Sequence, residues 1–232
     1  STALLSFVSG RFDVTFPFEM TIPLVRDIKQ QLPNAVCDVT TTNVSTNLLV
    51  RRDAAPFDNP DIRRAMALTL DRNDFIRILS EGENVMGGAM LPGPEGVWGM
   101  PKEIVDTIPG YGADVEKNRA EAQAIMRKLG YGPDKKLTVK VQTSASGSGQ
   151  MLPLPMNEYL QQALAECYFD VKLDVIEWNT LFTNWRRGAK DPTANGTHAI
   201  NVSFAAMDPF FAMVAGSDNS SAEDFPKCRT YR

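Results

Sequence analysis

Hydrophobic and polar positions divide this chain into short periodic segments separated by Gly- and Pro-rich punctuation. Residues 3–9 predict a helix stopped by Gly10. Phe12-Asp13-Val14-Thr15-Phe16 alternates with period two and predicts a strand. Pro23 opens a helix with Leu24, Ile28 and Leu32 on one face, and two Val/Thr-rich segments, Val36 to Thr40 and Val44 to Val50, lean towards strand. At Asp58-Asn59-Pro60, Asn59 suits an N-cap and Pro60 the first helical position, with Ile62, Ala65, Met66 and Thr69 on one face. Asp71 caps a second helix through Phe75, Ile76 and Leu79, ending near Gly82. A Gly/Pro-rich loop from Gly87 to Pro101 carries Trp98 as its anchor.

The second half is more regular. Asp114 caps a helix with Val115, Ala122, Ile125, Met126 and Leu129 inward, and Gly130 follows as its stop. Leu137 to Thr143 predicts a strand, Ser144 to Gly149 a loop, and Leu154 to Cys167 a helix. Val171 to Trp178 predicts a strand, Thr180 to Arg187 a helix, and Ala199 to Phe204 a third strand. This β-α-β-α-β succession calls for an α/β fold with a largely parallel sheet and helices on its faces.

Composition narrows the function classes. The 232 residues, 43% hydrophobic and 22% charged, make one large domain or two small ones. A net charge of −4 leaves no basic surplus to neutralise phosphates, so nucleic acid is not an expected partner. The longest apolar run, Phe210 to Ala215, is far below the ~20 residues that span a bilayer as a helix. Three cysteines, Cys37, Cys167 and Cys228, are too few and too odd in number for a disulfide framework. The chain opens without an initiator Met, and both ends read as cuts through a longer protein.

Catalytic and metal chemistry finds little support. His198 is the single histidine and has no Cys, His or acid at ligand spacing, so no metal and no cofactor are expected. Ser146-Gly147-Ser148-Gly149 misses the nucleophile-elbow spacing and reads as a strand-to-helix turn. Its backbone N–H groups can still meet an anion or a carbonyl at a helix start. Asp208, after Val202 to Met207 and before Pro209, lies where ligands bind in open parallel sheets. It also suits an N-cap for the following residues, and the two roles are compatible.

Four segments together resemble the extracellular solute-binding proteins, family 5, of peptide, nickel and opine ABC importers. The first joins Asn47-Leu48-Leu49-Val50 to Pro56-Phe57-Asp58-Asn59-Pro60 and the stretch Asp61 to Arg72. The second is Gly88-Ala89-Met90-Leu91-Pro92, and the third is Tyr111 to Tyr131. The fourth is Val171 to Trp178 followed by Trp185-Arg186-Arg187-Gly188. Gly10-Arg11-Phe12-Asp13-Val14 is similar to the family's Gly-x-x-Asp segment.

The resemblance implies a periplasmic-binding-protein-like fold of type II, a bilobal clamshell. Residues 1–42 would form the tail of the first lobe and the crossover, and residues 43–232 most of the second lobe. It further implies a periplasmic, monomeric protein that passes a peptide or another small polar solute to an inner-membrane ABC permease. Phe204 and Asp208 stand nearest the family's Trp- and Asp-containing turn, whose acid can meet a ligand's α-ammonium. With Met207, Ser144, Ser146 and Trp98 they are the expected ligand-binding residues. Some relatives carry an Arg after the strand matching Leu137–Thr143. Ser144–Gln150 has none, which favours a longer peptide or another polar solute over a free dipeptide. The alternative is a ligand-sensing domain of a transcription regulator with the same fold. No enzymatic activity is expected.

Overall fold

The computed structural model describes residues 2–15, 20–38, 44–50, 55–82, 86, 99–112, 114–145, 153–187 and 199–205. Helix α1 (Thr2–Val8) is followed by Gly10 at φ +74°, as the sequence predicts. The expected strand at Phe12–Phe16 is not formed over its described residues, 12–15, and Phe12 and Val14 are exposed. Alternation alone does not make a strand, because a ladder needs a partner chain alongside. The same holds for Val36, which is 87% exposed in a stretch without regular structure. Phe16, Val39 and Thr40 lie outside the described residues. Helix α2 (Ile22–Gln31) starts as predicted around Pro23, with Thr21 accepting from the Leu24 amide at 3.5 Å. It buries Ile28, and Arg26 forms an ion pair with Glu81.

Strand β1 (Val44–Val50) precedes a helical layer in which three helices are capped by a local side chain. Helix α3 (Pro60–Thr69) begins where the Asn59 side chain accepts from Asp61 N at 2.8 Å. Its inner face buries Ile62, Ala65, Met66, Leu68 and Thr69. Helix α4 (Arg72–Ser80) begins where Asp71 accepts from Asp74 N at 2.9 Å. After the short α5 (Lys102–Val105), α6 (Val115–Lys128) is capped by Asp114 through Lys117 N at 3.0 Å. Helix α6 packs along α3 through Ala122 and Met126, with Arg64 and Glu121 paired at 2.7 Å on the rim. The Arg72 guanidinium donates to the carbonyls of Ala67 and Gly110 and stacks 4.0 Å over Tyr111. Gly110 sits at φ +88°, and a Cβ there would lie 2.6 Å from the Ala67 carbonyl oxygen. Only glycine fits that approach.

The sheet comes from the second half: β2 (Leu137–Thr143), α7 (Pro153–Ala165), β3 (Phe169–Val175), α8 (Trp178–Arg187) and β4 (Ala199–Ala205). Spatial order is β1-β4-β2-β3. Strands β2 and β3 are parallel in full register, Leu137 opposite Phe169 through Thr143 opposite Val175. Strand β4 is also parallel to β2, but pairs with it only at Val141–Ala199 and Gln142–Ile200. Strand β1 completes the sheet antiparallel to β4 over all seven residues. The predicted parallel β-α-β-α-β core is therefore present, with one antiparallel edge added.

The boundary between β3 and α8 differs from expectation. Strand β3 starts two residues before Val171 and ends at Val175, so Trp178 opens α8 instead of closing the strand. Glu177 is the reason: its carboxylate accepts from the amides of Asn179 at 2.8 Å and Thr180 at 2.9 Å. Those backbone bonds hold the Glu177 carboxyl below its ordinary range and start the helix two residues early, at Trp178.

Odd-numbered positions of β2 and β3 face one apolar core. Leu137, Val139, Val141, Phe169 and Val171 pack there with Leu164, Ala122, Met126 and the inner face of α3. Even-numbered positions form a polar lattice. Thr138 Oγ1 donates to Asp170 at 3.1 Å, and Lys172 pairs with Asp170 at 2.9 Å and Lys140 with Asp174 at 3.0 Å. Tyr159 fastens α7 to α4, its hydroxyl donating to the Asp71 carbonyl at 3.1 Å and its ring meeting Phe75 edge-on at 5.4 Å. Burial, with the nearby Asp74 and Asp71 carboxylates, pushes the Tyr159 phenol up to about 12.

Two predictions follow from this packing. Gly110→Ala lowers stability by about 3 kcal/mol, from left-handed strain plus a backbone clash. Gly130→Ala, at φ +86° in open space, costs only about 1 kcal/mol. Urea unfolding of both variants distinguishes them, and equal losses would contradict the close approach at Gly110. For Tyr159, the folded pKa lies above the ordinary value of 10.0. Its contribution is therefore complete below pH ~10 and is lost as pH rises towards ~12. Alkaline titration of phenolate absorbance should show a late tyrosine phase that Tyr159→Phe removes.

Candidate functional site

The stagger of β4 against β2 creates the feature of most functional interest. Strand β4 begins beside the last residues of β2, so from Asn201 onward β1 is its only paired strand among the described residues. The β1–β4 ribbon therefore overhangs the carboxyl end of the parallel sheet. Its base is anchored, because Leu48 and Val50 pack against the main core and Val50 is opposite Ala199. Its far end is the pair Val44–Ala205. In open α/β sheets the space beyond the carboxyl ends of the strands is where ligands bind.

The floor of this corner is built from neutral polar groups. Gln142, Thr143 and Ser144, at and just after the end of β2, are all buried, as is Asn157 in the second turn of α7. Asn157 Nδ2 donates to Thr143 Oγ1 at 2.7 Å, tying α7 to the strand end. The Ile176 amide donates to the Thr143 carbonyl at 2.9 Å, tying in the end of β3. Gln142 Nε2 donates to Asp174 Oδ2 at 3.0 Å, and Asp174 also receives Lys140. Burial raises the Asp174 pKa, but the bonds from Lys140 and Gln142 outweigh it and hold the carboxyl below its ordinary range. Lys140 and Asp174, below the corner, are thus engaged with each other.

The expected ligand residues are placed unevenly. Phe204 lies in the overhanging part of β4, opposite Ser45 of β1. Ser144 lies at the exit of β2 and is 1% exposed, so it belongs to the buried floor. Ser146, Met207, Asp208 and Trp98 lie outside the described residues. Thr143 and Asn157 were not singled out by the sequence reading. The only signal for Thr143 is the polar run Gln142-Thr143-Ser144 that ends the alternation of β2, and Asn157 carries none. Among the described residues, no group of three His, Cys, Asp or Glu side chains could hold a metal ion. No described helix is long and apolar enough to cross a membrane. Cys167 is buried with its Sγ 3.6 Å from the Arg119 carbonyl, and burial pushes its thiol up, away from the reactive thiolate.

Comparison with known proteins gives this geometry a context. Residues 1–222 match the family model of bacterial extracellular solute-binding proteins, family 5 Middle. The di/tripeptide-binding protein 2 of Pseudomonas aeruginosa is 24% identical over 148 residues, covering 64% of this chain and 26% of that protein. The periplasmic oligopeptide-binding protein OppA of Haemophilus influenzae is 24% identical over 229 residues, covering 96% of this chain and 40% of OppA. Among solved structures, the murein tripeptide binding protein MppA of Escherichia coli superposes with a TM-score of 0.66 at 17% identity. That match covers 99% of this chain and 47% of MppA. The chain thus spans less than half the length of these relatives, and its fold is part of a type II periplasmic binding protein. The chain belongs to the bacterial extracellular solute-binding proteins, family 5.

Proposed function

We propose that this chain is the greater part of one lobe of a clamshell protein that captures peptides or a related small polar solute for an ABC importer. Residues 43–232 form most of the second lobe, and residues 1–42 the tail of the first lobe and the crossover. The observation that carries this reading is the overhanging β4. Its backbone from Asn201 to Ala205 is paired on one side by β1 and, among the described residues, by no strand on the other, where it can offer main-chain donors and acceptors. An extended peptide uses such an edge by adding as a further strand. The proposed boundary near residue 43 falls at the far end of the same ribbon, which supports its reading as a crossing between lobes. The peptide-binding relatives add weight to a peptide ligand.

Closure around the ligand is the mechanism. A ligand that touches both lobes binds the closed state better than the open one and shifts the population by that difference. The inner-membrane permease then reads the closed form. Phe204, Met207, Ser144, Ser146 and Trp98 are the proposed ligand-binding residues, and Asp208 meets a ligand ammonium. The protein works in the periplasm as a monomer, without a cofactor and without turning its ligand over.

In the whole natural protein, calorimetry with peptides of two to five residues should give saturable binding, and mass spectrometry should recover each peptide intact. At a hundred times Kd the ligand adds about 2.7 kcal/mol of stability. Asp208→Asn should weaken a peptide with a free amino terminus about tenfold and leave its N-acetylated form unaffected. Hydrolysis of the peptide, or no binding by any of them, would contradict the proposal.

A further inference from the structure

Arg26 of α2 pairs with Glu81, the residue that ends α4, 55 positions further along the chain. Among the described residues it is the one ion pair that crosses the proposed lobe boundary near residue 43. Arg64–Glu121, Lys140–Asp174 and the others lie wholly beyond that boundary. The main apolar core, by contrast, takes no described residue from α1 or α2, and Ile28, the buried residue of α2, is not part of it.

Glu81 stands in an unfavourable place for its type. Its backbone is left-handed at φ +54°, a conformation that helix ends usually give to glycine. The amides of Glu81 and Gly82 both return to the Ile76 carbonyl, so the helix is ended by backbone alone. A glutamate there is strained, and such strain points to a task for the side chain. Its ordinary partner within α4 would be Arg77, four residues earlier, but Arg77 is paired with Asp74. The Glu81 carboxylate meets Arg26 instead. Helix α4 is itself fixed to the second lobe, through Arg72 on the Gly110 carbonyl and Tyr159 on the Asp71 carbonyl. The pair therefore joins a helix anchored in that lobe to one outside its core.

From this we infer that Arg26 and Glu81 form a strap between the lobes that favours the closed state. The inference rests on the proposed clamshell, peptide-binding function. The pair forms only while α2 and α4 stand within reach of each other. A lobe rotation that draws the two helices apart breaks it, so it adds to the closed population alone. The two side chains are 60% and 37% exposed, which makes the pair weak and sensitive to salt. A strap of that strength tips closure without locking the ligand in.

The test is a charge-reversal cycle in the whole natural protein, titrated calorimetrically with tri-alanine and penta-alanine at low and high salt. Arg26→Glu and Glu81→Arg should each weaken binding about three- to tenfold at low salt, and the gap should narrow at high salt. The double variant, with the pair re-formed in reverse, should return to within about twofold of the natural protein. Single reversals that leave affinity unchanged or tighten it overturn the strap, as does a double variant no better than either single one. If the natural protein binds neither peptide while circular dichroism shows an intact fold, the peptide-binding function fails and the inference falls with it.

Discussion

The structure turns on the register between two parallel strands. Strand β4 meets β2 at Val141–Ala199 and Gln142–Ile200 and then continues past it. A slip that paired β4 with β2 along its whole length would fill the sheet and leave no overhang. The stagger forgoes ladder bonds from β2 beyond Ile200, while the seven-residue pairing with β1 holds the opposite side of β4. Leu48 and Val50 hold the base of that ribbon on the core shared by β2, β3, α3, α6 and α7. A rigid α/β body thus presents a two-stranded extension beyond its own carboxyl edge, where ligands of such sheets bind.

The two edges of the sheet have opposite chemistry, and this follows from what each must face. On β3, Asp170 and Lys172 pair at 2.9 Å, and Asp174 is bonded by Lys140 and Gln142 across to β2. Hydrogen bonds from Lys172 and Thr138 hold the Asp170 carboxyl below its ordinary range, against a small opposing effect of burial. Such a lattice suits a solvated edge and discourages another strand from pairing there. Strands β1 and β4 carry no charged residue.

Local signals were legible from sequence because their chemistry is complete within a few residues. Asn59, Asp71 and Asp114 each cap the helix expected of them, and Ile62, Ala65, Met66 and Thr69 lie inward at the predicted spacing. The strand expected at Phe12–Phe16 failed over its described residues because alternation states a capacity that only a neighbouring strand can realise. The end of β3 was misplaced because the Glu177 cap outranks the apolar run through Trp178. Within the site, the exit of β2 and the β4 segment could be read as strand ends. The Thr143–Asn157 bond and the β2–β4 stagger could not, since both depend on how distant segments come together. The family, by contrast, was readable from the Pro56–Pro60 motif and the helices after it.

The most direct measurement is a crystal structure of the whole protein with a bound peptide. The account predicts ligand main-chain atoms within hydrogen-bond distance of Asn201–Ala205, on the side of β4 away from β1. A peptide bound elsewhere, or that side of β4 occupied by a strand of the protein itself, would contradict it.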